Sequence, residues 1–233
     1  MNNSFTAPTT YFLQEGRENL PECLRIAFRA AVQQNVKKIV IFTAYGEGVK
    51  FAIENFCAQQ EYAGIKIVAV TFPAGKTFTD QQHKPITVEI GNDVRALMQS
   101  HEIPLVKAHL PFDPIEPGAA LRTKIGADFS LLSEALSMFC GSMSLCVQAI
   151  VLACDAGYVE TGEHVISLTS DTAILAQAAV TRRMLSQLIV REILCKPAIL
   201  TIGRKETRPR IESGQSQPHE LEPKAKPRLL KKE

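Results

Sequence analysis

Three β-branched runs, KKIVIFT (37–43), IKIVAVTF (65–72) and HVISLT (164–169), stay largely apolar along their whole length instead of alternating with polar residues. A strand that is apolar on both sides must be covered on both faces, which is the condition of a parallel sheet packed between helices. The intervening stretches carry the helical spacing such a sheet needs for its crossovers. NLPECLRIAFRAAVQQN places Leu24, Ala27, Phe28, Ala31 and Val32 on one face, with Asn19 as N-cap and Pro21 tolerated in the first turn. GEGVKFAIENFCAQQ follows in the same spacing, and NDVRALMQSH starts from an Asn-Asp cap and leads into a further strand, IPLVKAHL. A helical stretch from about 118 to 140 and a nearly all-apolar one at 145–156 complete the pattern. The expected fold class is α/β, whose ligands sit at the carboxyl ends of the strands.

Composition excludes several classes. At 233 residues and 45% hydrophobic content the chain can bury a sizeable core. Its longest apolar run, LCVQAIVLAC, falls well short of the roughly 20 residues that cross a bilayer. The opening MNNSFTAPTTYF has neither a basic start nor an apolar stretch, so no secretory signal, no membrane contact and a cytoplasmic location are expected. The six cysteines form no CxxC pair and no zinc-like spacing with histidine, so reduced, mostly buried thiols and no metal are expected. Residues 203–233 hold nine Lys or Arg against five Glu, with four prolines and little aliphatic content. They are expected to form a disordered basic tail after a domain spanning 1–202. Interleaved acids and the lack of an aromatic for base stacking make nucleic acid an unexpected partner for it.

Two loops at strand ends carry the chemistry. In FTAYGEG the strand turns at Thr43 and passes through Tyr45, Gly46 and Gly48 into a helix, and glycine there lets a phosphate approach the backbone. The GxGxxG spacing fails at Phe51 and no GxxxxGK[ST] exists, so neither a nicotinamide dinucleotide nor a nucleoside triphosphate loop is expected. GEHVISLTSDTAILA reads as a strand that runs straight into a helix, with Thr169, Ser170, Asp171 and Thr172 at the junction. Free N–H groups at such a junction suit an anion, and the same groups are satisfied by a Ser, Thr or Asp cap. His109 closes a strand at the same edge and could bind a phosphate or serve as a structural loop residue. Asp155, in the middle of ACDAGY, reads as a buried carboxylate or a cap for the next turn. Glu47 sets a negative charge beside the proposed anion site, to be compensated by Lys50 or Arg122.

TYFLQEGRENLPECLRIAFRAAVQQNVKKIVIFTAYGEGVKFAIENF and LCVQAIVLACDAGYVETGEHVISLTSDTAILA resemble the pyruvate kinase C-terminal-domain-like family of stand-alone prokaryotic proteins, over about residues 10–197. The resemblance implies a three-layer α/β/α sandwich with a mixed, mainly parallel sheet. It also implies a pocket for a small phosphorylated ligand, FMN among the candidates, and no pyruvate kinase activity, since that family lacks the catalytic barrel. Where the family's last loop resembles a glycine-rich GGTGRGADTA, this chain has SLTSDTA, and in the first loop Tyr45 and Gly48 stand in two of the family's hydroxyl-bearing places and only Thr43 remains. The lost glycines tilt the second junction toward self-capping by Ser170 or Asp171. The expected function is non-catalytic binding or sensing of a phosphate-bearing ligand between Thr43–Gly48 and Thr169–Thr172. The alternatives are an FMN-dependent enzyme and an interaction module with a decayed pocket. Met138, Phe139 and Met143 would serve a homo-oligomer contact or the core equally well.

Overall fold

The computed structural model describes residues 4–79, 83–113 and 129–198. Strands β1 (Thr10–Phe12), β2 (Lys38–Phe42), β3 (Lys66–Thr71), β4 (Thr77–Thr79), β5 (Pro85–Thr87) and β6 (Leu105–Lys107) come first in the chain. Strands β7 (His164–Leu168), β8 (Ala173–Gln177) and β9 (Ile189–Pro197) follow. The described helices are α1 (Leu20–Gln33), α2 (Glu47–Ala52, continued by a π turn at Ile53–Cys57), α3 (Asn92–Ser100), α4 (Ser130–Ser137), α5 (Met143–Asp155) and the short α6 (Met184–Gln187). Seven strands form one sheet in the order β1-β9-β8-β7-β2-β3-β6, while β4 and β5 make a separate hairpin. The β7-β2-β3-β6 block is parallel, as is β1 with β9, and β8 runs antiparallel to both of its neighbours. The sheet is therefore mixed and mainly parallel.

Both faces of the central strands are apolar, and their side chains divide by the period of two that a pleated strand imposes. Ile39 and Ile41 of β2, Ile67 and Ala69 of β3, and Ile166 and Leu168 of β7 pack with α1, α2 and α3. Val40, Phe42, Val68, Val70 and Val165 pack on the opposite side with α5. Two cores on one sheet define the three layers. Helix α5 is buried almost all round, from Met143 through Cys154, which explains its nearly continuous apolar sequence.

Helices α1, α3 and α5 end in the same way. The N–H groups of Val36, Ile103 and Tyr158 reach back to the carbonyls of Ala31, Met98 and Ala153 at 2.8, 2.9 and 3.0 Å. The residues before them, Asn35, Glu102 and Gly157, have φ of 54, 53 and 78°. These are Schellman terminations, which close the last carbonyls with a left-handed residue.

Four expectations need correction. The segment after Thr169 is strand β8, not a helix, so GEHVISLTSDTAILA forms a hairpin. A short apolar run is ambiguous in periodicity, and burial of Ala173–Ala176 between two sheet neighbours decided it. Val32 is 49% exposed and lies off the buried face of α1, which runs through Cys23, Leu24, Ala27, Phe28 and Ala31. Asn19 turns its amide to the Gln14 carbonyl instead of capping α1. Helix α3 likewise starts after Gly91 with no side-chain cap. The expected helix at 118–140 is described only from Ser130, and the boundary and tail expected at 202–233 lie outside the described residues. Met143 belongs to the core, whereas Met138 and Phe139 are 73% and 48% exposed.

Candidate functional site

Strands β2 and β7 are parallel neighbours, with Ile41 opposite Leu168, so the loops that follow them lie side by side at the carboxyl edge of the sheet. In the first loop Thr43 is buried and accepts the Gly46 N–H at 3.0 Å. Its hydroxyl donates to the Glu47 carboxylate at 3.0 Å, and the Tyr45 N–H donates to the same oxygen at 3.2 Å. The anion held by this loop is thus the chain's own carboxylate. Arg17 balances it: its Nε lies 3.7 Å from the other Glu47 oxygen and its guanidinium covers the Tyr45 ring, 5.3 Å from the centroid. Lys50, expected to compensate Glu47, pairs with Glu54 instead, and Arg122 lies outside the described residues.

The glycines of this loop answer to packing. Gly46 has φ 91°, and a Cβ there would meet Val94 at 2.6 Å and Ile90 at 3.0 Å. A Cβ on Gly48 would come within 3.1 Å of Ile41. Close approach to α3 and to β2 accounts for both residues without a phosphate.

The second loop is the β7–β8 turn, closed by the Thr169 N–H donating to the Thr172 carbonyl at 2.9 Å. Asp171 is only 3% exposed. One carboxylate oxygen accepts the Gly16 N–H at 3.1 Å, and the other accepts the hydroxyls of Thr172 and Thr169 at 3.1 and 3.5 Å. The expected helix cap by Ser170 or Asp171 does not form, since no helix follows; Asp171 closes a hairpin turn instead. Ser170 sits at its tip and makes no side-chain bond among the described residues that bears on the loop. Thiols surround the turn: Cys23 Sγ donates to the Thr169 carbonyl at 3.5 Å, Cys146 Sγ to the Thr172 carbonyl at 3.6 Å, and Cys140 Sγ lies 3.3 Å from Thr172 Oγ1. Burial, reinforced by neighbouring thiols and the Asp171 charge, pushes Cys23 and Cys146 well above the ordinary thiol range. They act as neutral donors, not as nucleophiles.

Gly16 and Arg17 were missed by sequence reasoning, yet these consecutive residues tie Asp171 of one loop to Glu47 of the other. The only signal was the glycine of the YF...G..N pattern. His109 is exposed and its Nε2 lies 3.0 Å from the Asp113 carbonyl, a local loop contact. Asp155 is exposed instead of buried; it accepts the Thr181 N–H at 3.0 Å and the Thr181 hydroxyl, capping the turn Thr181–Arg183. Among the described residues no His, Cys, Asp and Glu group is arranged to hold a metal, and no helix is long and apolar enough to cross a membrane.

No family model matches the chain. Solved pyruvate kinases match parts of this chain at low structural similarity. A Cryptosporidium parvum pyruvate kinase structure matches over 71% of this chain and 23% of that one, at 12% identity and a TM-score of 0.31. The same organism's enzyme in complex with ADP matches over 65% and 20%, at 13% identity and 0.28. The chain spans less than a quarter of the length of these enzymes, and nothing of their chemistry passes to its residues on this ground.

Proposed function

We propose that this protein is a non-catalytic binding domain without pyruvate kinase activity, whose Thr43–Gly48 loop takes a phosphate-bearing ligand only by displacing Glu47. The observation that carries the reading is the Glu47 carboxylate itself: the Thr43 hydroxyl and the Tyr45 N–H converge on an oxyanion with Arg17 beside it. Those are the elements of a phosphate position, already filled. The second loop contributes wall, not ligand contacts, because Asp171 is spent on Gly16, Thr169 and Thr172 and would repel a phosphate.

The test is a thermal-shift titration of the full chain with inorganic phosphate, a sugar phosphate and FMN, for wild type and Glu47→Ala. The expected result is little response in the wild type and a gained, saturable stabilisation in Glu47→Ala, about 2.7 kcal/mol at a hundredfold excess over the dissociation constant. If Glu47→Ala folds and gains no response to any of the three, the binding reading falls and an interaction module with a closed loop takes its place. Flavin absorbance in freshly purified protein, or a wild-type response confined to FMN, would instead favour an FMN-dependent enzyme.

A further inference from the structure

The amino-terminal edge of the sheet, opposite the two loops, holds a cavity of 580 Å³ between the starts of β2, β3 and β6. That volume lies within the range of small-molecule sites. Phe28, Tyr62, Ile67 and Ile103 line it with buried apolar surface, and the half-exposed ring of Tyr158 stands at its margin. Lys38 and Lys66 are register partners on β2 and β3, fall by the period of two with Val40 and Val68 on the α5 face, and line the cavity at the strand ends. Lys38 is bound to Glu163 at 2.8 Å and contributes a neutral pair. Lys66 has no carboxylate partner among the described residues. Glu102 is the one acid lining the cavity, and His101 stands beside it.

We infer that this cavity is a binding site for a small monoanion with an aromatic or otherwise flat apolar body, its charge set against the Lys66 ammonium and its body against Tyr62, Phe28 and Ile103. The ends of α1, α3 and α5 bring partial negative charge to this edge, but Schellman N–H groups close their last carbonyls, leaving Lys66 and Glu102 as the full charges without an ion-pair partner among the described lining residues, and Lys66 as the one that attracts an anion. A single ammonium with no glycine-rich loop suits one carboxylate or sulfonate and not a polyphosphate. Binding is non-covalent, because burial raises the Cys57 thiol at the cavity wall and keeps it protonated.

The test uses 8-anilinonaphthalene-1-sulfonate, an aromatic monoanion, in a fluorescence titration of the full chain. Saturable one-site binding is expected, weakened about tenfold or more by Lys66→Glu and by a smaller factor by Lys66→Gln, through loss of one charge contact. Lys37→Glu, an exposed neighbour that does not line the cavity, leaves binding unchanged. The titration keeps Glu47 in place on the Thr43 hydroxyl and Tyr45 N–H, so the outcome is separable from that at the carboxyl edge. Absence of saturable binding overturns the inference. So does binding that both Lys66 variants, confirmed folded by their melting curves, leave intact, since the dye would then sit on exposed apolar side chains such as Met138 or Leu185.

Discussion

The Asp171 carboxylate accepts three hydrogen bonds at the carboxyl edge, and it does so while almost fully buried. Hydrogen bonds to a charged group contribute about 1.5–3 kcal/mol each in favourable settings, and a donor left unpaired on burial adds its desolvation. Asp171→Ala is therefore expected to destabilise by roughly 2–3 kcal/mol in urea unfolding, and a change below about 1 kcal/mol would show that the turn closes without it. The thiols give a second handle. Burial lifts Cys154 from 9.0 to about 12, with Asp155 and Glu163 adding to the effect and Lys38 opposing it. A thiol with a raised folded-state value leaves stability intact below the unfolded value. As pH rises between 9.0 and about 12 the unfolded chain ionises first, and stability falls. Urea midpoints measured through that window should decline, and Cys154→Ala should decline less steeply; identical slopes would remove Cys154 from the account.

At the scale of elements, the ends of helices are more informative than their starts. Glu102 occupies the left-handed position of the α3 termination, which costs an L-residue about 1–2 kcal/mol. Glu102→Gly relieves that strain against a smaller entropy loss, so a gain of roughly 0.5–1 kcal/mol is expected, visible as a higher melting temperature. An unchanged or lower melting temperature would mean that the Glu102 side chain contributes more than its strain. The β2–α2 loop works the other way. A side chain at Gly46 meets α3 at 2.6 Å on a backbone already at φ 91°, so Gly46→Val should destabilise by about 2 kcal/mol or more whether or not a ligand binds. That substitution cannot report on phosphate, which is why Glu47→Ala is the informative variant.

For the whole molecule, the sheet needs both covers. Helix α5 supplies most of one, and Ile150 in its middle is fully buried against the strands. Ile150→Ala should cost about 2–5 kcal/mol, through lost transfer and an unfilled cavity. Calorimetry or urea unfolding would show it as one transition; two separated transitions would mean that the layers fold independently. Deleting residues 204–233, which lie outside the described structure, should leave the melting temperature nearly unchanged, because so few apolar side chains are there to bury.

What the amino-acid sequence determined by itself was the layering. Ile39 to Phe42 and Ile67 to Val70 are apolar at every position, and a run of that kind has one stable solution, a strand covered on both faces. The same logic located α5 from its continuous apolar content. Tertiary structure decided whatever depended on a distant partner. Ala173–Gln177 has no period that separates strand from helix, and only pairing with β7 and β9 made it a strand. Gly46 looked like room for a phosphate until Val94 of α3 and Ile90 just ahead of that helix packed against it. The closure of both loops through Gly16 and Arg17 joins residues separated by up to 155 positions. Local propensity carries no information over that distance, because such contacts are selected by burial and charge once the sheet has assembled.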